Sequence, residues 1–317
     1  MWRLRILSSR LAVHALVSGK RRLNYQQYEQ LVGQTAQHLD TIGIKRGHRV
    51  AILSANTLEY VIVLMALLHL GAVGVPLSTR YPSAQILKML HDIQYQYLIC
   101  SQGFKLNNSL ILDDIVTLEA REAFLPERSL PFEQEATIFF TSGSSGLPKA
   151  VLHTWGNHYY NAFGAHYNIP FQSEDRWLLS LPLYHVGGFA ILIRAILGGG
   201  TVVIPHSEQS LAECLLEEPI THVSLVSTQL YRFLNNPSLV EKLRSLKAIL
   251  LGGSAIPESL IKQAFHANLP LYISYGSTEM ASQITTTKAH ASLDELFTAG
   301  QLLPYRELKI ASEGEIC

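Results

Sequence analysis

Residues 60–77 read YVIVLMALLHLGAVGVPL, and the fold turns on whether this run crosses a membrane or lies inside an α/β protein. On length alone a helix of this span could cross a bilayer. His69, Gly71, Gly74 and Pro76 argue against one continuous helix. The run reads instead as a buried helix to about Leu70, a break at Gly71, and a strand through Val75. An apolar helix followed at once by an apolar strand suits an interior in which helices cover a parallel sheet.

The same alternation continues on both sides. Upstream, Tyr28, Leu31, Thr35, Leu39 and Ile42 recur at three- and four-residue steps and stop at Gly43, which predicts an amphipathic helix. RVAILS at 49–54 predicts a strand, SAQILKMLHDI a helix and YQYLIC another strand. Further on, WLLSLPL, TVVIP, HVSLVS, LKAILLGG and LYISYG have strand length, with helix-like stretches near 188–198, 208–218, 228–235 and 257–267 between them. The segment LAVHALVSGKRRLNY reads as two short strands joined by the turn Ser18-Gly19-Lys20. The opening MWRLRILSSR lacks the long apolar core and small-residue cleavage site of a secretory leader. A polar stretch at about 103–136 is a candidate junction. The expected fold class is α/β: two stacked lobes, about 1–135 and 136–285, with mostly parallel sheets covered by helices.

Composition excludes several classes. Of 317 residues, 48% are hydrophobic and 16% charged, which describes a well-buried globular chain. Lys+Arg and Asp+Glu both number 25, so no net field draws nucleic acid or a membrane surface. The three cysteines, Cys100, Cys214 and Cys317, are far apart and odd in number. They point to a reducing compartment, the cytoplasm, with no disulfide framework and no zinc-ligand spacing.

Residues 138–151 read IFFTSGSSGLPKAV: an apolar strand, a turn of hydroxyls and glycines, then one lysine. Converging backbone N–H groups beside a cation are a recipe for holding an anion. This is not a Walker A loop, because Gly143 and Gly146 stand too close and Lys149 follows Leu147-Pro148. Taken alone, the loop fits a hydroxyl-rich surface turn equally well. Its ten-residue string TSGSSGLPKA resembles the phosphate-binding loop of the adenylate-forming superfamily, which comprises acyl-CoA synthetases, peptide-synthetase adenylation domains and luciferases.

That resemblance implies that Thr141, Ser142, Gly143, Ser144, Ser145, Gly146 and Lys149 hold the phosphates of ATP. Four further segments resemble the superfamily's other signatures, in its order. In YGSTE at 275–279, Tyr275 would pack on adenine, Gly276 and Thr278 would meet the nucleotide, and Glu279 would hold Mg²⁺. In LLGGSAIP at 250–257, Gly252, Gly253, Ser254 and Ala255 would lie on adenine's other side. In SLPLYHVGG at 180–188, His185 would sit beside the acyl substrate, and SLVSTQLYRFL at 224–234 would offer Thr228 and Gln229 to the acid pocket. Each has a plainer reading by itself: a strand-to-helix turn for Gly252-Gly253, a hydrogen-bonded structural ring for His185, a helix-start carboxylate for Glu279.

The implied chemistry is ATP-dependent activation of a carboxylic acid to acyl-AMP, then transfer to coenzyme A. Lys149, Thr278, Glu279 and His185 would be the catalytic set. PKAVLHTWGNHYYNAFGA together with IPFQSEDRWLLSLPLYHVGGFAILIRAILGGG resembles the o-succinylbenzoate–CoA ligases of menaquinone biosynthesis. Such a dianionic acid needs donors for its second carboxylate. His185, Arg194, Thr228 and Gln229 are the candidates, Arg194 also being open to a surface or ion-pair role. Another aryl or acyl acid ligase, a domain loading a carrier protein, and a non-catalytic nucleotide-binding module stay open, as does a homodimer.

The resemblance also implies an N-terminal domain over about 1–310 and a small β-rich unit begun at about 286–317, where the sequence ends in ELKIASEGEIC. Superfamily members carry a further C-terminal lid domain that brings a lysine to the site, and it is absent from this sequence. An early stop in preparation, a short gene or a partner chain would each account for that. The expectation is that this chain binds ATP and acid but adenylates poorly and does not complete transfer to coenzyme A.

Overall fold

The computed structural model describes residues 2–3, 13–104, 106–116, 129–141 and 148–316. The deciding run divides as the sequence predicts. A helix spans Leu58–Leu70, capped at its start by Thr57, whose side chain accepts from the Tyr60 amide. It ends on Gly71 at φ 78°, a left-handed position that glycine adopts without strain. All its residues except Glu59 and His69 are buried, so it is apolar on every side, and the strand Val73–Pro76 follows. Among the described residues no helix is long and apolar enough to cross a membrane.

Two open sheets carry the molecule. The first has six strands, in the order 150–154, 135–140, 73–76, 49–53, 97–100 and 110–111. All its pairings are parallel except that of the edge strand Ala150–Thr154 with Glu135–Phe140. The second has nine strands, in the order 301–302, 282–286, 271–277, 248–251, 222–225, 176–178, 201–203, 14–18 and 21–24. Its inner strands are parallel and its two edges antiparallel. Trp2–Arg3 pairs with Ser129–Leu130 in a separate two-stranded ribbon.

A cut of the chain at 135 does not separate these sheets. The segment 135–154 supplies two strands to the first sheet, where Thr137 sits opposite Gly74. The predicted hairpin 14–24 leaves the first lobe's stretch of chain and joins the second sheet, with Leu16 and Val17 opposite Val202 and Val203. In both cases an apolar strand finds a parallel edge to bury against, and adjacency in sequence yields to that burial. Of the β-rich unit expected from 286, Gln301–Leu302 pairs onto the edge of the large sheet, and Ile310 forms one bridge with Ile316.

The core closes several titratable rings inside. His153 and His222 are each 1% exposed and His158 is 2% exposed. His158 Nε2 lies 2.7 Å from Thr137 Oγ1, and His222 is flanked by Thr221 Oγ1 and the Pro170 carbonyl. Burial holds all three imidazoles below the ordinary 6.5, His222 at about 4 despite the nearby Asp175 carboxylate. The unfolded chain takes up protons near pH 6.5 that the folded chain refuses, so their contribution to stability is complete above that pH and is lost as pH falls toward 4. His222 alone should account for about 3 kcal/mol of that loss between pH 7 and pH 4.5, roughly 6 °C in melting temperature, and His153 and His158 add to it in the same direction. Scanning calorimetry across that window checks this, and a level melting temperature would rule it out.

Candidate functional site

The carboxyl ends of the strands in an open α/β sheet are where ligands bind, because the loops diverge there and leave a crevice. Here the ends of the second sheet, faced by the loops after strands 49–53 and 73–76 of the first, enclose a cavity of about 1360 Å³. Asn56 joins the two sheets across it: its Nδ2 donates to the Leu181 carbonyl at 2.8 Å, and its Oδ1 accepts from the Leu183 amide at 2.9 Å.

One end is built for close backbone approach. Gly252, Gly253, Gly276 and Thr278 line it. A Cβ on Gly252 would stand 2.8 Å from the Ser274 carbonyl oxygen, and one on Gly276 would run into the Ser282 carbonyl. Glycine at these positions brings the 250–253 and 274–278 loops together. Tyr275, Ser254 and Ala255 are exposed beside this end, off the cavity wall. The flanks of the glycine- and hydroxyl-rich segment are joined by the Thr141 amide, which donates to the Lys149 carbonyl at 2.9 Å, and Phe140 just before it lines the cavity. Lys149 itself is exposed, as is Glu279, and neither lies on the cavity wall. Ser142, Gly143, Ser144, Ser145 and Gly146 lie outside the described residues, as does Cys317.

The residues expected around an acid, His185, Arg194, Thr228 and Gln229, all line the cavity. His185 stands at the start of the helix Val186–Gly198, and partial burial, then the charge of Arg80, lower its pKa. Gln229 Oε1 accepts from the Val226 amide at 2.9 Å while its Nε2 donates to the Ser180 carbonyl at 3.1 Å, so the amide braces the wall. Arg194 is not a surface residue, and among the described residues it is not half of an ion pair. It is 5% exposed, its Nη2 donates to Ser282 Oγ at 3.4 Å, and its guanidinium lies 5.6 Å from the centre of the Trp177 ring. Among the described residues no carboxylate pairs with it, and its Nε has no hydrogen-bond partner. Burial first, and then the Arg306 charge, lower its pKa to about 9, which leaves it cationic at neutral pH.

Sequence reasoning missed Asn56, Arg80, Ser224, Ser282 and Gln283, all on the wall. Two signals could have found some of them. Asn56 follows the end of a predicted strand, where sites collect. Ser224 breaks an otherwise apolar strand, and it accepts from Trp177 Nε1 at 3.2 Å. Among the described residues no group of three or more His, Cys, Asp or Glu side chains could hold a metal unaided.

Open α/β sheets enclose a cavity at their carboxyl ends, with glycine-enforced backbone contact at one end and a buried cation on the wall that no carboxylate pairs among the described residues. The chain belongs to the AMP-binding enzyme family, whose sequence pattern it matches over residues 8–317. The 2-succinylbenzoate–CoA ligase of Bacillus mycoides (strain KBAB4) is 31% identical over 299 residues, 93% of this chain and 62% of that one. Among solved structures, an arginine-to-lysine variant of E. coli MenE with bound OSB-AMS has a TM-score of 0.83 at 32% identity, covering 96% of this chain and 65% of that one. The o-succinylbenzoate CoA synthetase of Bacillus subtilis, in complex with the acyl-adenylate intermediate OSB-AMP, has a TM-score of 0.87 at 29% identity, covering 99% and 84%. The chain spans less than two thirds of the length of the first two of these relatives.

Proposed function

We propose that this domain binds ATP and a carboxylic acid, joins them as acyl-AMP, and serves an acid–thiol ligase in which coenzyme A then takes the acyl group. The acid is o-succinylbenzoate or a close aromatic dianion. The observation that carries this reading is Arg194, a buried cation on the cavity wall with no carboxylate partner among the described residues. A second carboxylate supplies the missing partner, since a buried charge left unpaired is costly. The names of the relatives support the same acid.

In the first step a carboxylate oxygen attacks the α-phosphorus; the new O–P bond forms as the bond to pyrophosphate breaks. The acid otherwise lacks a usable leaving group, and the step leaves AMP in that place. The protein needs no nucleophile of its own. It aligns two anions and offsets charge on the departing pyrophosphate. Thr278, the stem of the phosphate loop and Lys149 suit the second task. Glu279 is an exposed carboxylate next to Thr278 with no ion-pair partner among the described residues, a donor suited to Mg²⁺, which keeps water and phosphate oxygens as its other ligands. Bound there, Mg²⁺ would supply positive charge to the phosphates. In the second step the coenzyme A sulfur attacks the acyl carbon, AMP leaves, and the thiol proton passes to solvent. The buried free thiols Cys100 and Cys214 support a cytoplasmic setting.

Calorimetric titration with the sulfamoyl-adenosine analogue of o-succinylbenzoyl-AMP, against a medium-chain fatty-acyl analogue, tests the reading. The succinylbenzoyl form should bind at least about 100-fold more tightly, the scale set by one satisfied buried charge. Equal binding would keep the adenylate site and reject the acid. Binding of neither to folded protein would reject the reading.

A further inference from the structure

The turn that joins the two halves of the site is strained. Between Thr278 and Gln283, Ala281 has φ 55° and Ser282 φ 121°, both in the region that side-chain-bearing residues avoid. Such residues are costly and persist only where their surroundings impose them. The turn carries Thr278 and Glu279 toward the nucleotide end and Ser282, the partner of Arg194, toward the acid.

What imposes it comes from elsewhere in the chain. His153, on the strand that follows Lys149, has its Nε2 2.7 Å from the Thr278 carbonyl oxygen. The acceptor is a carbonyl, so Nε2 carries the proton, and the buried Nδ1 has no partner among the described residues. Asn161, 5% exposed on the helix Trp155–His166, donates from Nδ2 to the Met280 carbonyl at 2.9 Å and to the Gln283 carbonyl at 3.0 Å. Arg306 Nε adds a donor to Gln283 at 2.8 Å, and its Nη2 donates to the Asn161 carbonyl at 2.7 Å. Three carbonyls of one strained turn are thus held by side chains from the strand and helix that leave the phosphate loop. Neither His153 nor Asn161 lines the cavity.

We propose that His153 and Asn161 are positioning residues: they hold the 278–283 turn in its strained form and so couple the nucleotide end to the acid pocket through Thr278 and Ser282. This rests on reading the cavity as a nucleotide and acid site. Groups that orient metal ligands from behind are commonly worth about 10- to 100-fold in affinity, and the same scale is expected for side chains that orient this turn.

The test uses the whole chain and Mg·ATP as the calorimetric probe, with circular dichroism and melting as fold controls. His153→Leu should weaken Mg·ATP by about 10- to 100-fold, and His153→Gln, whose Nε2 donor has similar reach, should stay within about threefold of the parent. Asn161→Asp, isosteric but opposing oxygen to two carbonyls, should weaken both Mg·ATP and the succinylbenzoyl analogue. A merely structural role would lower the melting temperature and leave the affinities of folded protein unchanged, which would overturn the proposal. If His153→Leu does not fold, Asn161→Asp decides by the same two affinities. Failure of the parent chain to bind Mg·ATP would instead remove the site reading on which the proposal rests.

Discussion

Arg194→Met should make the unliganded domain more stable while leaving it unable to hold its acid. The guanidinium sits 5% exposed on an apolar helix, with one long hydrogen bond to Ser282 and a ring face at 5.6 Å as its contacts with neighbouring side chains. Its pKa is lowered to about 9 because burial, and then Arg306, disfavour the charged form. For a cation, a lowered folded pKa means that folding at neutral pH bears the cost of the charge, at about 1.4 kcal/mol for each unit of displacement. Methionine of similar length fills the space without that cost, so a gain of about 2–4 kcal/mol is expected in scanning calorimetry. On the proposed reading the dianionic acyl analogue loses Arg194 as a buried cationic partner and should bind on the order of 100- to 1000-fold more weakly, while ATP alone is nearly unaffected. Arg194→Lys should fall between, keeping the charge and losing the planar fork. A methionine variant that melts lower would mean that Trp177 and Ser282 satisfy the guanidinium already and that no anion is required there.

Arg194 also marks the limit of what the sequence could say. Its place within FAILIRAILG predicts a buried helix, and the helix Val186–Gly198 is there, but periodicity does not reveal whether a lone arginine escapes to solvent or is sealed inside. That depended on Ser282 and Trp177, which are far away in the chain and brought together by sheet order. The deciding run at 60–77 was legible because every cue agreed: unbroken apolar residues, then Gly71, then a β-branched run. The helix Trp155–His166 was illegible for the opposite reason. WGNHYYNAFGAH is poor in strong helix formers and shows no plain apolar stripe, and its start is fixed by a reciprocal cap between Thr154 and Asn157.

The site divides in the same way. Motif residues whose work is local, such as Gly252 and Gly276 at tight approaches, could be placed from short strings. Residues whose work is to connect, such as Asn56 between the sheets or His153 behind Thr278, carry no local pattern. A histidine in AVLHT looks like any strand residue until Thr278 is known to lie 2.7 Å from it. The lobe boundary escaped for a related reason: strand partners are chosen by apolar edges, and the 14–24 hairpin and the 135–154 pair each reach across the chain to find one.

Gly276→Ala should abolish nucleotide binding with little harm to the rest of the fold. Gly276 does not have a positive φ, so alanine meets no backbone penalty; the obstacle is space. The added methyl would run into the Ser282 carbonyl oxygen and stand 3.0 Å from Gln283 Cα, both backbone atoms that cannot rotate away. It sits at the register shift after Tyr275, where Gly276 pairs with Gln283, so relief must push the 271–277 and 282–286 strands apart at the turn bearing Thr278, Glu279 and Ser282. Overpacking of this kind costs about 1–3 kcal/mol. The displacement falls on groups that need placement within about half an ångström, so an affinity loss above about 100-fold is expected for Mg·ATP by calorimetry. Gly253→Ala is the informative contrast. There φ is +86° but the nearest obstacle is a Val226 methyl at 3.7 Å, so the penalty is conformational, about 1–2 kcal/mol, and stays in its own loop. Gly47→Ala, at φ +78° with nothing within 4 Å and no place on the cavity wall, should lower stability alone. If the three alanine variants bound Mg·ATP equally, close approach of the 276 and 282 backbones would have no part in holding the nucleotide.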